Sequence, residues 1–224
     1  MSQVPPPTAF AADPIGALGI VRIIPIVVID DAAHAAPLAE ALIAGGLPVA
    51  EVTLRTPAAV AAIEVMARQP GFLVGAGTLL DPGQAARTAG AGARFAVSPG
   101  FDPAVVTACQ SVSLPVLPGG VTATEIQLIR RAGLDTCKFF PAEAAGGLRT
   151  LSALSAPFHD MRFVPTGGIG PDNAAGYLSS PWVHAIGGSW MVARDLIASG
   201  QWDRIRQLTA QAAAIAASHR PGTR

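Results

Sequence analysis

The stretch ARFAVSPGFDPAVVTACQ, residues 93–110, contains the unit from which the rest of the chain is built. A short apolar run, ARFAV, ends at a turn marked by proline and glycine, SPG, and the helical stretch DPAVVTACQ follows. On the N-terminal side the unit recurs as VRIIPIVVI (21–29) with HAAPLAEALIAGG (34–46), VAEVTL (49–54) with AAVAAIEVMARQ (58–69), and FLVGAGT (72–78) with DPGQAARTAGAG (81–92). On the C-terminal side it recurs as LPVLPGG (114–120) with TATEIQLIRRAG (122–133), TCKFFPAE (136–143) with GLRTLSAL (147–154), RFVPTGGIG (162–170) with PDNAAGYLSS (171–180), and VHAIGGS (183–189) with WMVARDLIASG (190–200). Strands alternating with helices imply parallel pairing, and eight pairs favour closure into an α/β fold of the TIM (β/α)8 barrel type. The alternative is an open Rossmann or flavodoxin-like sheet. Its marker is a glycine fingerprint after the first strand, where this chain has VVIDDAAH (27–34).

No linker or shift of composition divides the repeat. The expected layout is one barrel domain over 14–218, closing with the amphipathic helix QWDRIRQLTAQAAAIAASH (201–219), between a disordered tail (1–13) and a frayed end (219–224). Half of the 224 residues are hydrophobic and 13% are charged, which supplies a sizeable core and argues against disorder. Fifteen basic residues balance fifteen acidic ones without a basic run, so nothing points to nucleic acid or to an anionic membrane surface. The apolar run IIPIVVI (23–29) is too short to span a bilayer. The first residues, with three consecutive prolines and no basic n-region, do not read as a signal peptide, and a cytoplasmic location is expected. Cys109 and Cys137 lack metal or redox spacing and read as inert buried thiols. His34, His159, His184 and His219 show no ligand spacing, and no metal site is expected.

Lys138 is the only lysine in the chain, and it stands in an apolar strand between Cys137 and Phe139. Strand period two puts Thr136, Lys138 and Phe140 on one face, and in VAEVTLRT it puts Glu51, Thr53 and Arg55 on the interior face opposite Ala50, Val52 and Leu54. A carboxylate, a guanidinium and an ammonium are thus expected at the C-terminal mouth, where barrel chemistry sits. The plainer alternative is a buried ion network that only fixes packing. Against it, arginine is the better structural cation, whereas an amine able to lose its proton suits a nucleophile, favoured by desolvation and by Arg55 nearby. The glycine pairs of VPTGGIGPDN (164–173) and HAIGGSW (184–190) follow the seventh and eighth strands. Pro171 and Ser189 are expected to open the next helices, which makes these loops candidates for phosphate. In GAGT (75–78), Thr78 and adjacent amides are candidates for holding a carboxylate.

EVTLRT, VGAGT, SPG, KFFPAE, PTGGI and GGSW stand in the order and spacing of the 2-keto-3-deoxy-6-phosphogluconate (KDPG) aldolases, which overlap with 4-hydroxy-2-oxoglutarate (KHG) aldolases. The chain resembles this family over about residues 15–215. The resemblance implies a homotrimer of TIM barrels that needs no cofactor and no metal. It implies Schiff-base cleavage of KDPG, a phosphorylated 2-keto-3-deoxy sugar acid, to pyruvate and glyceraldehyde 3-phosphate, as in the Entner–Doudoroff pathway. It assigns Lys138 as the imine-forming amine and Glu51 as the proton shuttle. It implies that Arg55 and Thr78 take the pyruvyl carboxylate and that Gly167, Gly168 and Ser189 take the phosphate. Pro99, Phe140 and Thr166 are expected to line the pocket. PGGVT (118–122) departs from the family pattern of a single glycine followed by a β-branched residue. The phosphogalactonate analogue remains a possible substrate. The readings from other classes are a metal-dependent lyase on the same barrel, to be recognised by chelator sensitivity, and a non-catalytic phosphosugar-binding barrel, to be recognised by ligand stabilisation without turnover.

Overall fold

The computed structural model describes residues 13–219. The expected tails therefore lie outside the described residues except for Asp13 and His219. The chain opens with helix α1 (Pro14–Val21), where Asp13 accepts the Gly16 N–H at 2.8 Å and Pro14 fills the first turn. Eight strands follow: β1 (Ile23–Val27), β2 (Val49–Thr53), β3 (Leu73–Gly77), β4 (Phe95–Val97), β5 (Val116–Leu117), β6 (Thr136–Phe139), β7 (Arg162–Pro165) and β8 (Ile186–Gly188). The helices after them are α2 (Ala35–Ala44), α3 (Ala59–Ala67), α4 (Gly83–Gly90), α5 (Pro103–Ser111), α6 (Ala123–Arg131), α7 (Gly147–Ser155), α8 (Pro171–Leu178) and α9 (Arg194–Ala198), and α10 (Trp202–Ser218) ends the fold.

Six strands form one parallel sheet in the order β5-β4-β3-β2-β1-β8, and β6 pairs with β7. Bridges Gly119↔Lys138 and Thr166↔Gly187 join the two sheets on both sides. Lys138 N–H donates to the Pro118 carbonyl and Gly120 N–H to the Lys138 carbonyl, both at 2.9 Å. The ring of eight strands is thereby closed, as the repeat predicts.

Alternation along the strands separates two apolar layers. Ala50, Val52, Cys137 and Phe139 pack outwards in the large core under the helices. Val49, Leu73, Phe95, Val97, Leu117 and Val164 fill the barrel interior together with Ala17, Leu18 and Val21 of α1, so this helix plugs the N-terminal end. Gly75 makes room for that filling, since a Cβ there would come within 2.2 Å of the Phe95 ring.

Two expectations about element boundaries are corrected. The first strand begins at Ile23, because α1 occupies residues up to Val21 and Arg22 caps it with φ +67°. Gly16 and Gly19 lower the helix signal of this segment. The Arg22 guanidinium is buried, and it donates to the carbonyls of Leu178, Val183 and His184 at 2.5, 2.6 and 2.9 Å. Ser189 does not open an α-helix: a 3-10 turn, Trp190–Val192, follows it, and its hydroxyl makes no capping bond.

Candidate active site

Lys138 on β6 and Glu51 on β2 are 87 residues apart in sequence, and barrel closure brings them face to face. Nζ donates to Glu51 Oε1 at 3.0 Å. Both side chains are buried, 7% and 3% exposed respectively. The ammonium also lies 5.3 Å from the centroid of the Phe140 ring, a cation–π contact. Gly77 forms the wall behind the carboxylate, because a Cβ at that position would come within 2.3 Å of Glu51 Oε1. Sequence reasoning missed this role, although the interior parity of LVGAG carries a signal for it. Beside the pair, Thr53 is buried and its hydroxyl donates to the Val27 carbonyl at 2.9 Å.

Arg55 departs from expectation. Strand β2 ends at Thr53, so Arg55 lies on the following turn, exposed, and it forms no ion pair among the described residues. Of the carboxylate and the guanidinium expected near Lys138, the carboxylate is the group that pairs with it.

Thr78, half-buried directly after β3, has φ +62°. A β-branched residue in the left-handed region is strained, and such strain persists where the surroundings enforce it, commonly at functional sites. Pro99 is half-buried in the β4–α5 loop. Its carbonyl would lie 2.0 Å from a Cβ at Gly119, so the first glycine of PGGVT is required by close contact with this loop. A Cβ at Gly120 would meet Glu125, Ile129 and Cys137 at 3.1–3.4 Å, which places the departure from the family pattern in the helix layer and outside the site.

Thr166 is buried at the end of β7, and its bridge to Gly187 sets the β7 and β8 loops side by side. Gly167 and Gly168 follow with φ +103° and +75°, conformations that favour glycine. The carbonyls of Thr166, Gly167 and Gly168 accept from Ala142 N–H, Glu143 N–H and Asn173 Nδ2 at 2.8, 3.1 and 3.1 Å. The amides of Gly167 and Gly168 donate to no backbone carbonyl among the described residues. They precede the N-terminus of α8, which Pro171 opens as expected. Exposed Ser189 borders the same end of the barrel.

The remaining candidates play structural parts. Burial pushes the Cys109 thiol up to about 11, and burial followed by the nearby Glu125 charge raises Cys137 further, so both stay protonated at neutral pH. His34 packs edge-on against Trp202 with ring centroids 5.5 Å apart, and His184 Nε2–H donates to the Ile15 carbonyl at 2.8 Å. Among the described residues no group of three or more His, Cys, Asp or Glu side chains is arranged to hold a metal ion. No described helix is long and apolar enough to cross a membrane. A groove of about 760 Å³ lined by Arg68, Phe72, Arg94 and Leu114 opens at the N-terminal ends of β3–β5, at the opposite end of the barrel from Lys138.

The family model described as KDPG and KHG aldolase matches residues 16–208. The KHG/KDPG aldolase of Escherichia coli (strain K12) is 46% identical over 191 residues, covering 85% of this chain and 90% of the relative. The structure of KDPG aldolase from Legionella pneumophila with pyruvate captured as a covalent carbinolamine intermediate is 43% identical, with a TM-score of 0.84, covering 88% of this chain and 96% of that one. The Zymomonas mobilis ZM4 KDPG aldolase structure with 3-phosphoglycerate is 41% identical, with a TM-score of 0.83, covering 91% and 95%.

Proposed function

The chain belongs to the KDPG and KHG aldolase family, and from that premise we propose a division of labour for its reaction, the Schiff-base cleavage of KDPG to pyruvate and glyceraldehyde 3-phosphate. The observation that carries the proposal is the buried contact of 3.0 Å between Lys138 Nζ and Glu51 Oε1 at the barrel mouth. Glu51 is within reach to take a proton from Lys138, whose amine then attacks the C2 ketone. Glu51 returns that proton to the carbinolamine hydroxyl, which leaves as water and gives an iminium, with Glu51 again a carboxylate. Glu51, directly or through a water, removes the C4 hydroxyl proton, the C3–C4 bond breaks towards the iminium, and glyceraldehyde 3-phosphate leaves. The enamine is protonated at C3 and hydrolysed to pyruvate, which restores the amine. The captured carbinolamine of the Legionella relative supports this chemistry for the single lysine of this chain.

Arg55 and Thr78 take the pyruvyl carboxylate at the rim, with Pro99, Phe140 and Thr166 enclosing the carbon chain. The uncommitted amides of Gly167 and Gly168, ahead of the α8 N-terminus, take the phosphate together with Ser189. Relatives of the KDPG series at 41–46% identity, against 27% for the KDPGal structure, favour the gluconate configuration at C4. A cytoplasmic homotrimer, each chain one catalytic unit over 14–218 acting in the Entner–Doudoroff pathway, completes the proposal. Light scattering tests the assembly, and a monomer rejects it.

The decisive experiment is reduction with sodium borohydride in the presence of pyruvate. One adduct per chain on Lys138 is expected, and none in Lys138→Arg, which keeps the charge but forms no imine. Full cleavage activity in that variant would refute the assignment.

A further inference from the structure

Glu143, five residues beyond Lys138, has no part in the chemistry above, yet it grips the phosphate loop from several sides. Its N–H donates to the Gly167 carbonyl at 3.1 Å, beside the 2.8 Å bond from Ala142 N–H to the Thr166 carbonyl. Its stem covers Gly168 so closely that a Cβ there would come within 2.7 Å of both Cβ and Cγ of Glu143. Its carboxylate accepts a hydrogen bond from the hydroxyl of Tyr177, which is buried on α8, the helix that the glycine loop enters. From the other side, Asn173 accepts the Gly170 N–H at 2.9 Å and donates to the Gly168 carbonyl. The loop is thus pinned through its carbonyls, while the amides of Gly167 and Gly168 donate to no backbone carbonyl among the described residues. A glutamate beside an anion site is otherwise unfavourable, because like charges repel at short range.

We propose that Glu143 is a positioning residue for phosphate recognition: its latch to Tyr177 keeps its own charge turned away from the phosphate that the Gly167–Gly168 loop takes. This rests on the reading that the glycine loop binds phosphate. Burial first, and the bond to Glu143 second, hold the Tyr177 phenol well above its ordinary range, so the latch keeps its proton at neutral pH.

The test compares KDPG with its unphosphorylated counterpart. Tyr177→Phe keeps the ring and releases the carboxylate; it should lower kcat/KM for KDPG about tenfold, chiefly through KM, with little change for the unphosphorylated substrate or for pyruvate trapping at Lys138. Adding Glu143→Gln to Tyr177→Phe removes the freed charge and should restore most of the loss. Glu143→Asp, on an exposed loop, is too short for the latch but keeps the charge, and it should reproduce the defect even if Tyr177→Phe does not fold. Equal losses for both substrates, or a double variant as impaired as Tyr177→Phe, would reduce Glu143 to a structural brace and overturn the proposal. If the wild type itself does not distinguish the two substrates, the phosphate reading fails and takes this proposal with it.

Discussion

Removing one partner of the Lys138–Glu51 pair should cost far more stability than removing both. At 3.0 Å and an effective dielectric constant of about 20, the attraction is 332/(20 × 3.0), about 5.5 kcal/mol. Burying the two charges, 7% and 3% exposed, offsets this by about several kcal/mol per ion, so the net worth of the intact pair is small. Lys138→Met leaves an uncompensated carboxylate inside the barrel and should lose about 3–5 kcal/mol, and Glu51→Gln should lose about 2–3 kcal/mol because the amide still accepts a hydrogen bond from the ammonium. The double variant Lys138→Met/Glu51→Gln should lie within about 1.5 kcal/mol of wild type, a coupling energy of about 3 kcal/mol or more. Urea unfolding at pH 7 and fixed protein concentration measures the cycle, with constant m-values as the check on two-state behaviour. Single losses that add within about 0.5 kcal/mol would refute a directly coupled buried pair. Borohydride trapping links the cycle to function, since Glu51→Gln retains a slow imine adduct while both Lys138→Met variants have none.

Gly77→Ala puts a methyl within 2.3 Å of Glu51 Oε1, so kcat should fall about 100-fold and overpacking should cost about 1–3 kcal/mol, while pyruvate still forms an imine; unchanged kcat would show that Glu51 need not sit where it does. Thr78→Gly relieves a φ of +62° and should raise stability by about 1 kcal/mol while raising KM about tenfold through loss of the threonine hydroxyl; a drop in urea midpoint would count against strain at this residue. Burial is the first cause holding His184 below its ordinary value of 6.5, Arg162 and Arg22 act in the same direction, and the bond to Ile15 and the charge of Asp135 oppose them. The unfolded chain therefore takes up a proton that the native one resists, and this stability is complete above pH 6.5 and lost as pH falls through the lowered value. His184→Gln, with an amide able to donate to the Ile15 carbonyl, should flatten the acid limb of the stability profile, and an unaltered limb would remove His184 as its source.

Whatever depends on local period was legible in the order of the residues. Apolar runs punctuated by glycine and proline marked all eight strands, and alternation within KFF and VAEVT put Lys138, Glu51 and Thr53 inside and Cys137, Phe139, Ala50 and Val52 outside, because neighbouring side chains on a strand must point to opposite faces. Helix α1 was hidden because Gly16 and Gly19, which suit its close packing against Asp13 and His184, are poor helix formers in isolation. Which interior residues meet depends on how the whole barrel packs. Closure of the ring brought together two side chains 87 residues apart, and the end of β2 at Thr53 left Arg55 on the rim, though its parity matches that of Glu51. It also gave Gly75 and Gly77 their purpose, as space for Phe95 and Glu51, and joined Glu143 on the loop after β6 to Tyr177 on α8. Alternation fixes the face a side chain takes; strand register and the point where each strand stops fix its neighbours, and those are settled only when the barrel packs as a whole.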